Sequence, residues 1–168
     1  MTALDTPRLR LQALSLEQLC LILDDSPTLE TELGIPVARE LLTARVLRAI
    51  RMKIKKMRKA DPADHNWYTY WLIIIKMEGS GAGLAGFKGI PDTAGRCEIG
   101  YGIDPAHQGQ GYMSEAVRSL VGWALRHPAC SAVTATAVSN PASRRLLEKL
   151  GAHLVTEDDN SSSWEFIR

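Results

Sequence analysis

Apolar positions along this chain switch between two periods, and the clearest switch lies past its midpoint. Ile99, Tyr101 and Ile103 alternate with Glu98, Gly100, Gly102 and Asp104, the period of a strand, and Asp104-Pro105 stops it. Beyond a glycine-containing stretch, Met113, Ala116, Val117, Leu120, Val121 and Ala124 recur at helical spacing as far as His127-Pro128. Such a helix has one apolar face and needs a sheet to lie on. Ala132 to Val138 then predicts another strand, and Ser139-Asn140-Pro141 opens a second helix with cap and first-turn proline in the favoured order. Leu146, Leu147 and Leu150 form its apolar face, and Gly151 closes it.

The N-terminal half reads in the same way. Leu9 and Leu11 alternate with Arg8, Arg10 and Gln12 in a first strand over residues 6–14. Ser15, with Glu17 and Gln18 close behind, offers a helix start, and Leu16, Leu19, Cys20, Ile22 and Leu23 supply the stripe until Asp24-Asp25-Ser26-Pro27 breaks it. Between Pro36 and Lys59 the period is helical again, with Leu42, Val46, Ile50, Ile54 and Met57 near one line. Trp67 to Met77, rich in aromatic and β-branched residues, predicts a central strand. Glu78 to Gly81 turns the chain into an antiparallel return strand over 82–90, and Pro91 to Gly95 turns it into the strand bearing Glu98. Residues 152–156 and 162–167 predict two final strands around the polar Glu157-Asp-Asp-Asn turn.

The strands flanking the helix over 111–126 should be parallel neighbours joined by a right-handed crossover, while the others meander. The expected fold is therefore α/β: a mixed sheet with helices on both faces. A length of 168 residues suits one domain, here 1–168, and one core.

Composition adds little beyond an ordinary globular character, with 45% apolar and 23% charged residues. Charge adds more. The net value of +1 hides a run from Arg45 to Lys59 holding eight basic residues and no acidic one. On a helix this run is either a solvated face or a surface for an acidic partner or RNA. No aromatic residue interleaves with it, so base stacking is not indicated. Cys20, Cys97 and Cys130 have neither metal-binding spacing nor an even count, which fits a reduced, cytoplasmic setting and no metal. The N-terminus lacks a basic start followed by an apolar core, so no signal peptide is expected, and the longest apolar run, Trp71 to Ile75, is too short to span a membrane.

The stretch between strand and helix carries the candidate chemistry. Gly109 and Gly111 can take backbone angles closed to other residues, and the first amides of the following helix have no partner inside it. With the positive end of the helix dipole they form a cradle for a phosphate or diphosphate. A strand-to-helix turn with two glycines is also a common structural device. The loop does not end in Gly-Lys-Ser/Thr, so it is no P-loop, and Ser114 stands where a dinucleotide fingerprint needs its third glycine.

Gln108-Gly109-Gln110-Gly111-Tyr112-Met113 resembles the acetyl-CoA signature of the GNAT superfamily of N-acetyltransferases, Gln/Arg-x-x-Gly-x-Gly/Ala, with Met113 in place of the last small residue. The wider run from Ile99 to Ala116, and the opening Thr6-Pro-Arg-Leu-Arg-Leu11, resemble the branch containing ribosomal-protein N-terminal (alanine/serine) acetyltransferases. The resemblance implies a GNAT fold: a twisted, mostly antiparallel sheet of about six to seven strands, with a splayed parallel pair holding coenzyme A. It implies that the backbone of Tyr101, Gly102 and Ile103 pairs with the pantetheine arm, and that amides from Gln108 and Gly109 through Gln110, Gly111, Tyr112, Met113 and Ser114 hold the diphosphate. Asn140, in the family's Asn-x-x-Ala/Ser pattern with Ser143, would reach the cofactor near its thioester, although Asn140 is equally a good helix cap.

Many relatives carry a tyrosine that protonates the departing thiolate where this chain has Leu147, so Ser143, or a water it holds, is the expected replacement. Glu98, opposite in face to Ile99 and Tyr101, is the expected general base, ahead of Tyr101 and His107. The implied activity is direct transfer of acetyl from acetyl-CoA to a primary amine, at a protein N-terminus or on a small molecule, in a ternary complex. The alternative is a noncatalytic module that binds coenzyme A or a peptide and docks an acidic partner through the basic helix over 45–59. A third reading, an RNA-associated protein, predicts binding that weakens steeply with salt.

Overall fold

In a computed structural model, residues 2–24 and 26–168 are described, Ser26 and Pro27 by their backbone alone. One eight-stranded sheet runs in the order β1-β2-β3-β4-β5-β6-β8-β7. Its strands are β1 (Ala3–Asp5), β2 (Leu9–Ala13), β3 (Trp71–Ile75), β4 (Ser80–Phe87), β5 (Arg96–Ile103), β6 (Ala132–Val138), β7 (His153–Glu157) and β8 (Ser162–Ile167). All neighbours are antiparallel except β5 and β6. The sheet thus exceeds the expected six to seven strands, because the three-residue β1 pairs with β2 and is too short to show a period.

Two apolar layers sandwich the sheet. On one side α5 (Tyr112–Leu125) and α6 (Pro141–Lys149) cover Leu9, Leu11, Trp71, Ile73, Phe87 and Ile99. Trp67, Trp71, Phe87 and Trp123 meet there, with ring centroids 4.5–5.7 Å apart. On the other side α1 (Leu16–Asp24), α2 (Ser26–Leu33) and α3 (Ala44–Met57) cover Leu72, Ile74 and Leu84. Each large side chain buried this way contributes roughly 1.5–3 kcal/mol before chain entropy is counted.

Local chemistry sets the helix starts. Ser15 Oγ accepts from the Gln18 amide at 3.1 Å and Gln18 Oε1 accepts from the Ser15 amide at 2.9 Å, a reciprocal box that opens α1. Thr43 caps α3 through Val46 N–H, and Asn140 caps α6 through Ala142 N–H at 2.8 Å.

Three expectations need correction. The helix expected from residue 36 begins at Ala44, after a 3-10 turn at Arg39–Leu41, because Val37 bridges to Gly81 at the sheet. The first residues of the expected strand over 67–77 form α4 (His65–Tyr68), where Trp67 turns into the aromatic cluster and the Trp71 indole donates to Asn66 O. Helix α2 was not anticipated: Leu29 is its buried apolar anchor, which leaves too weak a period to read. At the break expected over 24–27, α1 ends at Asp24 and α2 begins at Ser26, while Asp25 lies outside the described residues.

Candidate active site

β5 and β6 pair only at Arg96–Ala132, Cys97–Val133 and Glu98–Thr134, then part. The cause lies in β6. Its register against β8 slips between Ala135 and Val138, and Ala137 has φ +51°, a left-handed conformation rare for a residue with a side chain. The irregularity turns β6 away, so Gly100 to Ile103 keep β4 on one side and lose a ladder partner on the other. A wedge opens between two strands, edged by backbone donors and acceptors that an extended ligand can complete.

The glycine loop closes the wide end. Gly109 and Gly111 have φ +75° and +80°, as the loop requires, and no atom lies within 4 Å of where a Cβ on Gly109 would sit. Gly111 is the N-cap of α5 and no side chain caps the helix, so its first amides face outward with the dipole behind them. Met113, which replaces the usual small residue, is buried in the core beneath α5.

Residues from the start of the chain brace this loop. Arg8 Nε donates to Glu115 Oε2 at 2.7 Å, Arg8 Nη1 donates to Gln110 O at 2.9 Å, and the guanidinium lies 4.7 Å from the Tyr112 ring centroid. Thr6 Oγ1 and the Arg8 amide both donate to Glu115 Oε1, at 2.6 and 2.9 Å. Burial works to raise the Glu115 carboxyl, but the bonds from Thr6 and Arg8 outweigh it and hold the group below the ordinary carboxylate value. Sequence reasoning assigned Arg8 and Glu115 no role, since more than a hundred positions separate them. The Thr-x-Arg opening was their one visible trace.

His107 also holds the loop. Its Nδ1 is 2.8 Å from Asp104 Oδ2 and its Nε2 2.9 Å from Glu78 Oε2, tying the β3–β4 turn to the segment ahead of Gln108. The bond to Glu78, with that to Asp104, raises its pKa against the opposing effect of burial. A structural role fits it better than the base role considered for it.

The two faces of the wedge differ. On the α5–α6 face the Tyr101 hydroxyl is buried and makes no hydrogen bond of full geometry. Burial raises its pKa, and the side chain of Ser143 acts in the opposite sense, which places the two hydroxyls close together. An orphaned buried hydroxyl beside an open strand edge fits a site shaped for a polar ligand. Asn140 spends its side-chain oxygen on capping α6, leaving the amide nitrogen for a ligand, and Leu147 is fully buried in the core.

The opposite face bears Glu98. Lys88 Nζ and Thr136 Oγ1 both donate to Glu98 Oε1, each at 2.5 Å, so β5, β6 and the residue that directly follows β4 meet at this carboxylate where the strands begin to part. Beside it, the positions where Gly100 and Gly102 would carry a Cβ are clear to 4 Å, leaving open space along that face. Glu98 and Ser143 therefore flank the wedge from opposite faces of the sheet.

Helix α3 lies on the Glu98 side. Of its cations, Lys53 is buried and donates to the carbonyls of Phe87, Tyr68 and Thr69 at 2.7, 3.0 and 3.1 Å. Burial, with Lys56 and Lys88 nearby, pushes its pKa down to about 7. Arg51, Lys55, Arg58 and Lys59 line a cleft of about 470 Å³ between α1 and α3, and none has an ion-pair partner among the described residues. That cleft includes no residue of β5 or β6 and is separate from the wedge.

Residues 8–153 match the acetyltransferase (GNAT) domain family. This chain belongs to the GNAT acetyltransferases. It is 30% identical to an uncharacterized N-acetyltransferase, YjdG, of Bacillus subtilis (strain 168), with 99% of each chain covered. Among solved structures, its fold resembles RimL, a ribosomal L7/L12 alpha-N-protein acetyltransferase in complex with coenzyme A. The TM-score is 0.67 at 17% identity, covering 99% of this chain and 98% of that one. It also resembles a ribosomal-protein-S5-alanine acetyltransferase from Vibrio fischeri, with a TM-score of 0.64 at 15% identity over 99% and 97% of the two chains. The GNAT enzyme is an acetyltransferase whose acetyl donor is acetyl-CoA. No helix among the described residues is long and apolar enough to cross a membrane.

Proposed function

We propose that residues 1–168 act as one domain that moves acetyl directly onto the α-amine of a protein or peptide in a ternary complex. The observation that carries this reading is Glu98, held by Thr136 at the point where β5 leaves β6 and bordered by the open space over Gly100 and Gly102. Acetyl-CoA supplies the activated acetyl thioester. The amides of Gly109 to Ser114 bind the diphosphate, the free edge at Tyr101, Gly102 and Ile103 binds the arm, and the Asn140 amide reaches the thioester end. Glu98 takes a proton from the acceptor nitrogen, directly or through water. Ser143, close to Tyr101 on the other face, delivers one to the departing sulfur.

Acceptor chemistry favours an α-amine over lysine. At pH 7 roughly one α-amine in ten is neutral, against roughly one lysine in a few thousand, and a single carboxylate suffices to help the former. The likeness in fold to ribosomal-protein acetyltransferases and the unpaired cations of α3 support a protein acceptor over a small molecule.

The test follows thiol release from acetyl-CoA with N-terminal peptides and with small amines, comparing wild type with Glu98→Gln. Turnover of a peptide should fall by about 100- to 10,000-fold in the variant. Unchanged turnover would remove Glu98 from the base role, and tight donor binding without transfer to any amine would overturn the reading as a whole.

A further inference from the structure

The carboxylate assigned to an incoming amine already holds one. Lys88 directly follows β4, and its amide donates to Glu98 O at 2.8 Å, which sets its side chain on the Glu98 face. Its Nζ lies 2.5 Å from Glu98 Oε1, the oxygen that also takes the Thr136 hydroxyl. The two neighbouring lysines are committed elsewhere. Lys53 Nζ is spent on three carbonyls, and Lys56 Nζ donates to Lys88 O at 2.6 Å. Lys88 alone of the three presents its amine to the carboxylate, and its side chain is 63% exposed.

We propose that the enzyme acetylates its own Lys88, an inference that rests on the reading of Glu98 as base. Glu98 takes one proton from the Lys88 ammonium, and the freed nitrogen lone pair forms a C–N bond to the acetyl carbonyl carbon. The C–S bond breaks, its electron pair leaves on sulfur, the second proton that nitrogen sheds as the amide forms ends on that sulfur, and Glu98 passes its own proton to water. The products are one amide and one free thiol, with no oxidant or further reactant. At pH 7 a lysine offers roughly 200-fold fewer neutral amines than an α-amine, but one held at the site gains an effective concentration that reaches about 10⁵ M in well-oriented cases. Acetyl-Lys88 carries no charge and releases Glu98, so the first turnover clears the carboxylate for an external amine.

The experiment uses the full chain with acetyl-CoA and no other amine, read by intact mass and peptide mapping. The expected result is a single acetyl on Lys88, at least about tenfold above any other lysine, formed at a rate independent of protein concentration, absent in Lys88→Arg and slowed about tenfold or more in Glu98→Gln. Acetyl spread evenly over exposed lysines and indifferent to Glu98→Gln would overturn the inference, as would a rate that rises with protein concentration. Turnover of an added peptide amine with Lys88 unmodified would overturn it alone. If neither Lys88 nor any added amine is acetylated, the underlying reading fails with it.

Discussion

Replacing Arg8 by Ala tests whether the turn between β1 and β2 sets the grip on the donor. The change removes the 2.7 Å bond to Glu115, the 2.9 Å bond to Gln110 O and the stack on Tyr112. Hydrogen bonds to charged groups contribute about 1.5–3 kcal/mol when shielded, and exposed ion pairs no more than about 1. With 47% of the Arg8 side chain in water, we expect a combined loss of about 1–2 kcal/mol in holding the loop, a rise of roughly five- to thirtyfold in KM for acetyl-CoA. Acetyl-pantetheine, which keeps the thioester and the arm but lacks the diphosphate, separates this effect from general loosening. Its KM should be unchanged, and kcat with acetyl-CoA should stay within about twofold. An equal loss with both donors, or no change with acetyl-CoA, would refute the view that Arg8 acts through the loop.

Two further perturbations read the titrating groups. Lys53 has a folded pKa of about 7, well below its unfolded value, so the unfolded chain binds more protons between the two and stability rises with pH through that window. Lys53→Met should remove a slope of up to about 1.4 kcal/mol per pH unit from urea unfolding between pH 8 and 9.5; identical slopes in both proteins would refute it. His107 is shifted the other way, so the stability it adds is fully present below its unfolded pKa and is lost as pH rises through the raised folded one. In thermal unfolding from pH 5.5 to 8.5, His107→Gln should flatten that loss, while a melting profile parallel to wild type would show that the Asp104–His107–Glu78 bridge contributes nothing.

The loop and its surroundings show how far local pattern reaches. Gly109 and Gly111 could be read from the chain because left-handed backbone ahead of a helix selects glycine whatever packs around it. The cap at Asn140 and the box at Ser15 and Gln18 could be read for the same reason, each being complete within four residues. Helix α4 could not, since Trp67 leaves its apparent strand only because Trp123 and Phe87 wait on the far side of the sheet. The Arg8–Glu115 brace escaped notice because its halves are distant in sequence and neither lies in a periodic pattern.

By itself, the sequence determined the main strands and helices, the parallel pair around α5 and the glycine loop at its start, all of which depend on hydrophobic period and local backbone preference. Tertiary structure decided where the parallel pair stops. The break at Ala135–Val138 and the left-handed Ala137 depend on how β6 lies against β8, a pairing that no local window contains. It also decided what meets at Glu98. Lys88 just past β4, Glu98 on β5 and Thr136 on β6 are brought together by hydrogen bonding between strands, set by register and not by nearness along the chain, so that two donors meet on one Glu98 oxygen.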